Sequence, residues 1–200
     1  MPDTITARGS DAKYRAHEEG QFVAQCVDCI DLGEKVEDFP GTPPKLAHKC
    51  ALVFRTGERN PETGEYIDIA REFTVSMGDL ANLRRFLEQW RGKPYTPEQI
   101  DAGVPLHKLA GNHALITVAQ RQSAKGRTYA NITACVGIPQ QMRGNLPTYA
   151  DYTRAEYWDT RKKEYAEAAA RFRSNMAAAP DDYFPDFPAP LADEDDSLPF

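Results

Sequence analysis

The order of the predicted secondary-structure elements constrains the fold of this chain more than any other feature. Three segments rich in β-branched and aromatic residues come first, one amphipathic helix follows them, and two more such segments come after the helix. The predicted strands cover residues 21–31, 46–55, 66–75, 113–121 and 127–136. On the second strand, residues 50, 52 and 54 share one face and residues 49, 51, 53 and 55 share the other.

The helix between the third and fourth strands carries the clearest local signals. Ser76 and Asp79 have the spacing of a capping box, and Gly92 followed by Pro94 is typical of a helix end. The predicted apolar face consists of Leu80, Leu83, Leu87 and Trp90. Trp90 is therefore predicted to be a core residue rather than a platform for a nucleobase.

The element order is that of the OB-fold, a five-stranded Greek-key barrel, although other small α+β folds share it. We predict a mainly β, α+β chain. It comprises a five-stranded OB-fold barrel with a helix between strands 3 and 4, a long C-terminal helix and a disordered acidic tail. The predicted boundaries are a mobile segment at 1–19, the barrel domain at 20–148, the helix at 149–179 and the tail at 180–200.

The C-terminal helix is predicted from a second capping box and an apolar repeat. Thr153 and Glu156 have the capping-box spacing, and Trp158, Tyr165 and Phe172 recur every seven residues. This stripe is expected to dock on the barrel or on a partner chain.

Charge is distributed unevenly along the chain. Residues 180–200 contain seven acidic residues and five prolines but no Lys or Arg, which predicts disorder. The other residues contain 24 basic and 23 acidic side chains, so the body is nearly neutral although the whole chain has a net charge of −6. A chain divided in this way can bind a polyanion with its body while the tail repels or competes with it.

Four cysteines raise the question of a metal site. Cys26 and Cys29 have the spacing of half a zinc site, and His48 and Cys50 lie on the next predicted strand. However, residues three apart on a regular strand point to opposite faces, and there is no second pair with this spacing. We expect buried, reduced thiols, including Cys135, and no metal or other cofactor; zinc remains the alternative.

Catalysis is not expected from the motifs in this sequence. No phosphate-binding glycine-rich loop, HExxH or GxSxG motif is present. Glu58, Glu62, Glu65 and Asp68 fall in a turn-rich hairpin without the fixed spacing of a two-metal nuclease, so a solvated loop explains them. We therefore predict that the protein is not an enzyme.

An OB-fold binds single strands on the face of strands two and three, between loops that close over that face. Such binding needs cations along the phosphates and aromatic rings on which bases stack. Both residue types cluster at these positions, although each one alone is typical of a solvated surface. The candidate residues are Lys45, Lys49, Arg55, Arg59, Tyr66, Arg71, Arg121, Lys125, Arg127 and Tyr129.

The last eight residues combine charge with an apolar ending. The acidic run is followed by Leu198, Pro199 and Phe200. A terminal Phe offers a ring and a carboxylate together to an apolar pocket with Arg or Lys at its rim. The ending resembles the C-terminal peptide of bacterial single-stranded DNA-binding proteins and the acidic tails of their phage counterparts. The predicted partner-binding residues are Asp193, Glu194, Asp195, Asp196, Leu198, Pro199 and Phe200.

The segment from Gly20 to Val136 also resembles phage single-stranded DNA-binding proteins of the OB type. The likeness rests on EGQFVA (19–24), REFTVS (71–76), LRRFLEQWRG (83–92) and GRTY (126–129). It implies a non-catalytic protein of the bacterial host cytoplasm that coats single-stranded DNA without strong sequence preference during replication, recombination and repair. Its tail would recruit DNA polymerase, primase or helicase.

One departure from the bacterial proteins is the long helix between barrel and tail, where they have a flexible linker. We therefore expect a monomer or homodimer rather than their homotetramer. The alternative reading is an OB-fold protein-interaction adaptor of a phage replication complex that does not bind DNA.

Overall fold

A five-stranded antiparallel sheet forms the centre of the computed structural model, which describes residues 15–123, 126–144 and 146–178. The strands are β1 (Gly20–Glu37), β2 (Lys45–Arg55), β3 (Ile69–Thr74), β4 (His113–Gln122) and β5 (Thr128–Val136). The helices are α1 (Asn82–Arg91), α2 (Pro97–Asp101) and α3 (Tyr157–Ala178), with 3-10 turns at Leu106–Leu109 and Gln140–Met142. The five strands lie in the order β3-β2-β1-β4-β5.

β1 is the strand that organises the sheet. It pairs with β4 up to Gln25 and with β2 from Gln25 onward, so this residue lies opposite both His113 and Arg55. Its pairing with β2 shifts register twice, between Cys26 and Asp28 and between Asp31 and Gly33. Such irregularities bend and twist a sheet.

The two edge strands of the sheet, β3 and β5, approach each other. Arg71 Nη1 on β3 donates a hydrogen bond to the carbonyl oxygen of Ile132 on β5 at 2.8 Å. The sheet is therefore curved enough for side-chain contact between its first and last strands.

The inner face of the sheet packs against α1 and forms the main core. Leu52, Phe54 and Ile116 are fully buried there, and the ring centroids of Phe54 and Trp90 lie 5.4 Å apart. Trp90 Nε1 donates to the carbonyl oxygen of His113 at 2.9 Å, so its one polar atom is also satisfied. The prediction that Trp90 is a core residue is confirmed.

The predicted start of α1 is wrong. The N-cap residue is Ala81, which makes no side-chain capping bond. Ser76 Oγ instead accepts from the backbone of Gly78 in a turn, and Asp79 pairs with Arg84 at 2.6 Å. These local bonds occupy both side chains, so they are not available to cap a helix.

Two further details of this region differ from the prediction. Leu80, which was assigned to the apolar helix face, precedes the helix and is 79% exposed. No helix is predicted between α1 and the fourth strand, but this connector contains α2, where Thr96 and Gln99 form a complete capping box.

α3 covers the outer face of β1 and β2. Trp158, Tyr165 and Ala169 are buried on this helix, and the first two pack against a cluster that includes Leu32 and Val53. The predicted docking of the apolar stripe is confirmed, although the helix begins at Tyr157, after the predicted capping box. Both faces of the β1–β2 pair are consequently buried, one under α1 and the other under α3.

Ion pairs connect α3 and the segment before it to the sheet. Arg154 pairs with Asp28 at 2.7 Å and Arg161 pairs with Glu72 at 2.6 Å. Arg173 pairs with Glu34 further along the helix. The three arginine side chains are 41–57% exposed, and exposed ion pairs contribute little to stability. Apolar burial therefore provides most of the free energy of docking.

The bulge in β1 overturns one expectation about the cysteines. Cys26 lies opposite Phe54 and Cys29 lies opposite Leu52, with the register shift between them. Both cysteines therefore contact the inner core. The expectation that they point to opposite faces is wrong because the bulge adds one residue to the strand.

The predicted mobile and disordered segments lie mostly outside the described residues, which exclude 1–14 and 179–200. Residues 15–19 are described, and His17 among them is buried, with its Nε2 atom 2.7 Å from Thr56 Oγ1. In the part of the chain that is described, no helix has the length and apolar character needed to cross a membrane.

We predict that Trp158→Ala destabilises the protein far more than Met176→Ala. Trp158 is 4% exposed under α3, whereas Met176 on the same helix is 63% exposed. Removing a buried Trp side chain costs roughly 3–5 kcal/mol, and removing an exposed Met costs within about 0.5 kcal/mol. Chemical denaturation measures both values. Equal, small losses would show that α3 is not docked on the sheet.

Candidate nucleic-acid interface

Arg55, predicted to contact phosphates from the second strand, is an internal charge in this structure. Its Nε and Nη2 atoms donate to the two carboxylate oxygens of Asp68 at 2.7 and 2.8 Å. The hydrogen bond that Arg55 donates to Asp68 is the main reason why the pKa of Arg55 is raised. Only 8% of the side chain is exposed, so Arg55 serves to organise its neighbours.

The other two predicted cations of this strand, Lys49 and Lys45, differ in whether a carboxylate neutralises them. Lys49 Nζ pairs with Glu37 and donates to Thr74 Oγ1 at 2.6 Å. The hydrogen bond from Lys49 holds the pKa of Glu37 below its usual value. Lys45, at the start of β2, is exposed. The face assignment of β2 is confirmed, but two of its three predicted cations already have carboxylate partners.

Arg71 lies on the inner side of β3, where it contacts aromatic core residues. Its guanidinium carbon is 5.2 Å from the ring centroid of Phe73 and 5.4 Å from that of Phe86. Burial lowers its pKa. Together with its bond to Ile132, this position makes Arg71 a link between the edge strands.

Arginine and tyrosine side chains form a cluster beside β3. The guanidinium carbons of Arg59 and Arg55 lie 3.6 and 4.2 Å from the ring centroid of Tyr66. Tyr149 packs edge-on against Tyr66, with 5.4 Å between the centroids. Arg59 is exposed, so one cation of this cluster faces solvent directly above an aromatic ring.

A groove of about 400 Å³ lies between β3 and the beginning of α3. Its lining includes the aromatic residues Tyr66, Tyr152, Tyr157 and Trp158, with Arg15 also among the lining residues. The ring of Tyr157 is 4.4 Å from that of Trp158, and Tyr157 is 50% exposed. Asp68 and Glu72 line the groove as well, but their carboxylates are paired with Arg55 and Arg161, so the groove combines ring faces with charges of both signs.

Tyr152 is fixed in this groove by its hydroxyl group. The hydroxyl donates to Asp28 Oδ2 at 3.2 Å. Burial, reinforced by the charge of Asp28, raises the pKa of Tyr152. The sequence prediction missed Tyr149, Tyr152 and Tyr157 because they come from a segment after the last strand. Their only signal in the sequence was their position just before, or at the start of, the apolar stripe of α3.

The hairpin between β4 and β5 carries a second group of predicted residues. Arg121 lies directly opposite Tyr129 in the register, and both side chains are exposed. Arg127 is also exposed, while Lys125 lies outside the described residues. Ala130, the neighbour of Tyr129, lines the aromatic groove, so the hairpin and the groove are adjacent.

The predicted residues therefore fall into separate groups. Arg59 and Tyr66 lie at the aromatic groove, and Arg121, Arg127 and Tyr129 lie on the hairpin. Lys49 and Arg71 line a different depression of about 660 Å³ that extends to Leu80. The predicted tail residues 193–200 lie outside the described part of the chain.

The cysteines show the properties of core thiols. Burial raises the pKa of Cys29 to about 11 and that of Cys50 and Cys135 to about 12, and it raises that of Cys26 as well. Among the described residues, no three His, Cys, Asp or Glu side chains are grouped so that they could hold a metal ion.

The chain matches no family model, no curated protein and no solved structure.

We predict that the thiols of the native protein react slowly with a disulfide reagent at pH 8. The thiolate is the reactive form, and pKa values raised to about 11–12 leave little thiolate at that pH. Reaction should become fast in denaturant, where the thiol pKa returns to about 8.5. Rapid reaction of all four cysteines in the native protein would contradict this burial.

Proposed function

We propose that this chain is an OB-fold protein that binds single-stranded DNA without strong sequence preference and has no catalytic activity. The strand order supports an OB barrel, because β1 pairs with both β2 and β4 and the free edges are β3 and β5. The bond from Arg71 to Ile132 lies where such a barrel would close. α1 follows β3 and covers the inner core, as the single helix of that fold does.

The aromatic groove is the observation that carries the proposal. Nucleobases bind single-strand proteins by stacking on aromatic rings, while basic side chains contact the phosphates. Tyr157 provides a half-exposed ring at this groove, and Arg59, whose guanidinium group stacks on Tyr66, provides an exposed cation beside it. Its volume of about 400 Å³ lies within the range of small-ligand pockets, so a nucleotide-sized group fits.

The proposed path of the DNA strand avoids the outer face of β1 and β2, because α3 covers that face. The strand would enter beside Arg59, stack in the groove and continue over the β4–β5 hairpin. Arg121, Arg127 and Tyr129 are exposed along this continuation. Lys49 and Arg55 take no direct part in this proposal, since their charges are paired with Glu37 and Asp68.

The wider biological role proposed here rests on the sequence. The protein would coat DNA intermediates of replication, recombination and repair in the cytoplasm of a bacterial host, as a monomer or homodimer. Its acidic segment 193–200 would recruit polymerase, primase or helicase through charge and apolar side chains.

A protein-interaction adaptor is the second candidate function. The covered outer face of β2 and the carboxylate partners of Lys49 and Arg55 on this strand favour it, because an OB-fold usually binds its ligand on strands two and three. An adaptor would bind single-stranded DNA weakly and with little dependence on salt.

We predict that Tyr157→Ala, which removes an exposed ring, and Tyr66→Ala, which removes the ring that holds the Arg59 guanidinium group, both weaken binding of a labelled oligothymidylate, as measured by fluorescence anisotropy. Each lost stacking contact is worth roughly 1–3 kcal/mol, which corresponds to roughly 5- to 150-fold in Kd. Tyr157→Phe keeps the ring and should bind like the native protein. Unchanged affinity in both alanine variants would exclude the groove as the base-binding site.

We also predict that Arg59→Ala and Arg121→Ala each reduce the dependence of binding on salt. Each removes one phosphate contact, so the slope of log K against log salt concentration should fall by roughly 0.7 for single-stranded DNA. Arg85→Ala is the matched control, because Arg85 is an exposed arginine of α1 away from the groove and the hairpin. The same reduction in the control would indicate a general charge effect instead of a defined path.

A further inference from the structure

A second pocket, of about 550 Å³, lies at the end of α1 and shares no lining residue with the aromatic groove. Leu87 and Trp90 of α1, Ile138 after β5 and Leu146 form apolar parts of its wall. Arg91 and Arg143 line it as well. No acidic residue is found among its described lining residues. The pocket therefore combines an apolar interior with two positive charges.

Arg91 is the feature of this pocket that the fold itself does not explain. Its Nη1 atom is buried and has no hydrogen-bond partner among the described residues. Its guanidinium carbon lies 3.9 Å from the ring centroid of Tyr95, which fixes the group but accepts no hydrogen bond at Nη1. A buried cationic donor without a partner is unfavourable, so a native structure normally supplies one.

The nearby carboxylate of Glu88 interacts with Arg91 through its charge but forms no hydrogen bond with it. Glu88 Oε1 accepts from Arg84 Nε and from the backbone nitrogen of Tyr95, both at 3.0 Å. The other pocket cation, Arg143, donates from Nε to the carbonyl oxygen of Ile138 at 3.2 Å and is otherwise exposed. Arg91 and Arg143 therefore give the pocket two positive charges that form no ion pair with another described residue.

We propose that this pocket binds the segment Asp193–Phe200 of the same chain. The segment has the complementary chemistry, since its four consecutive acidic residues can pair with Arg91 and Arg143. Leu198 and Phe200 offer apolar side chains to the wall of the pocket. Docking would place a carboxylate beside the accessible part of the Arg91 guanidinium group. This proposal does not depend on DNA binding at the aromatic groove.

The length of the chain allows this contact within one molecule. α3 contains 22 residues and is about 33 Å long at about 1.5 Å per residue. Leu198 lies twenty residue steps after Ala178, and an extended chain covers about 3.3 Å per step, or about 66 Å. The segment before α3 is close to the pocket, because Gln25 bonds both to Tyr149 and to Gly111 of the pocket lining.

Docking in this pocket would regulate access to the acidic segment. A partner that binds residues 193–200 would have to displace them from Arg91 and Arg143. Single-stranded DNA in the aromatic groove would not have to do so, because the two sites share no lining residue. Docking of the acidic segment would thus control partner recruitment without affecting DNA binding.

The test uses the full chain with a spin label at Ser197→Cys, in a Cys29→Ser background because Cys29 is only half-buried. The two tryptophans supply an internal comparison, since Trp90 lines the pocket and Trp158 lies under α3. In proton–nitrogen NMR spectra, the indole signal of Trp90 should lose most of its intensity while that of Trp158 keeps most of it. Dilution should not change this pattern.

Two sets of variants complete the test. Arg91→Gln with Arg143→Gln, and separately Leu198→Ser with Phe200→Ser, should restore the Trp90 signal, while Arg85→Gln should not. The second pair leaves the folded body unaltered, so a folding defect cannot account for its effect. An unperturbed Trp90 signal in the labelled native chain, equal loss at both tryptophans, or loss that disappears on dilution would overturn the proposal.

Discussion

The double pairing of β1 is the interaction on which the rest of this structure depends. One long strand bonds to β4 up to Gln25 and to β2 from there on, with a bulge between Cys26 and Asp28 at the transition. The resulting bend brings β3 near β5 and gives α1 a concave inner face to fill. The same bulge places Asp28 where it accepts from Tyr152 and Arg154, so it also positions the segment that leads into α3.

The placement of α3 determines which charges remain available for a ligand. Tyr149 and Tyr152, from the segment that leads into α3, lie against Arg55, which is nearly closed off from solvent and paired with Asp68. A cation in that setting is a structural element, and the energetic reason is that a buried charge needs a close counter-charge. The exposed positive charges near the aromatic groove are those of Arg59 and of the β4–β5 hairpin.

Much of the fold follows from local sequence patterns. Alternation on β2 predicts its two faces correctly, and the heptad spacing of Trp158 and Tyr165 predicts a docked helix, because both patterns reflect burial directly. The capping prediction at Ser76 fails because short polar side chains bond equally well within a turn. The bulge at Cys26 depends on pairing with another strand, which no local pattern records.

The candidate site was less predictable than the fold. The hairpin position of Tyr66 and Arg59 predicts that they lie at the site. Tyr149 and Tyr157 also lie there, although they are far from the hairpin in sequence. The inward position of Arg71 and the ion pairs of Lys49 and Arg55 depend on tertiary neighbours, Ile132, Glu37 and Asp68. Residue type and spacing identify possible cations, but only the packed structure shows which of them are already neutralised.

The central claim is that this chain binds single-stranded DNA through stacking and phosphate contacts. A salt titration of its affinity for a single-stranded oligonucleotide and for the matching duplex tests it most directly. The account predicts strong preference for the single strand and an affinity that falls steeply as salt rises. Equal, weak and salt-insensitive binding to both would contradict the account and favour the protein-interaction adaptor.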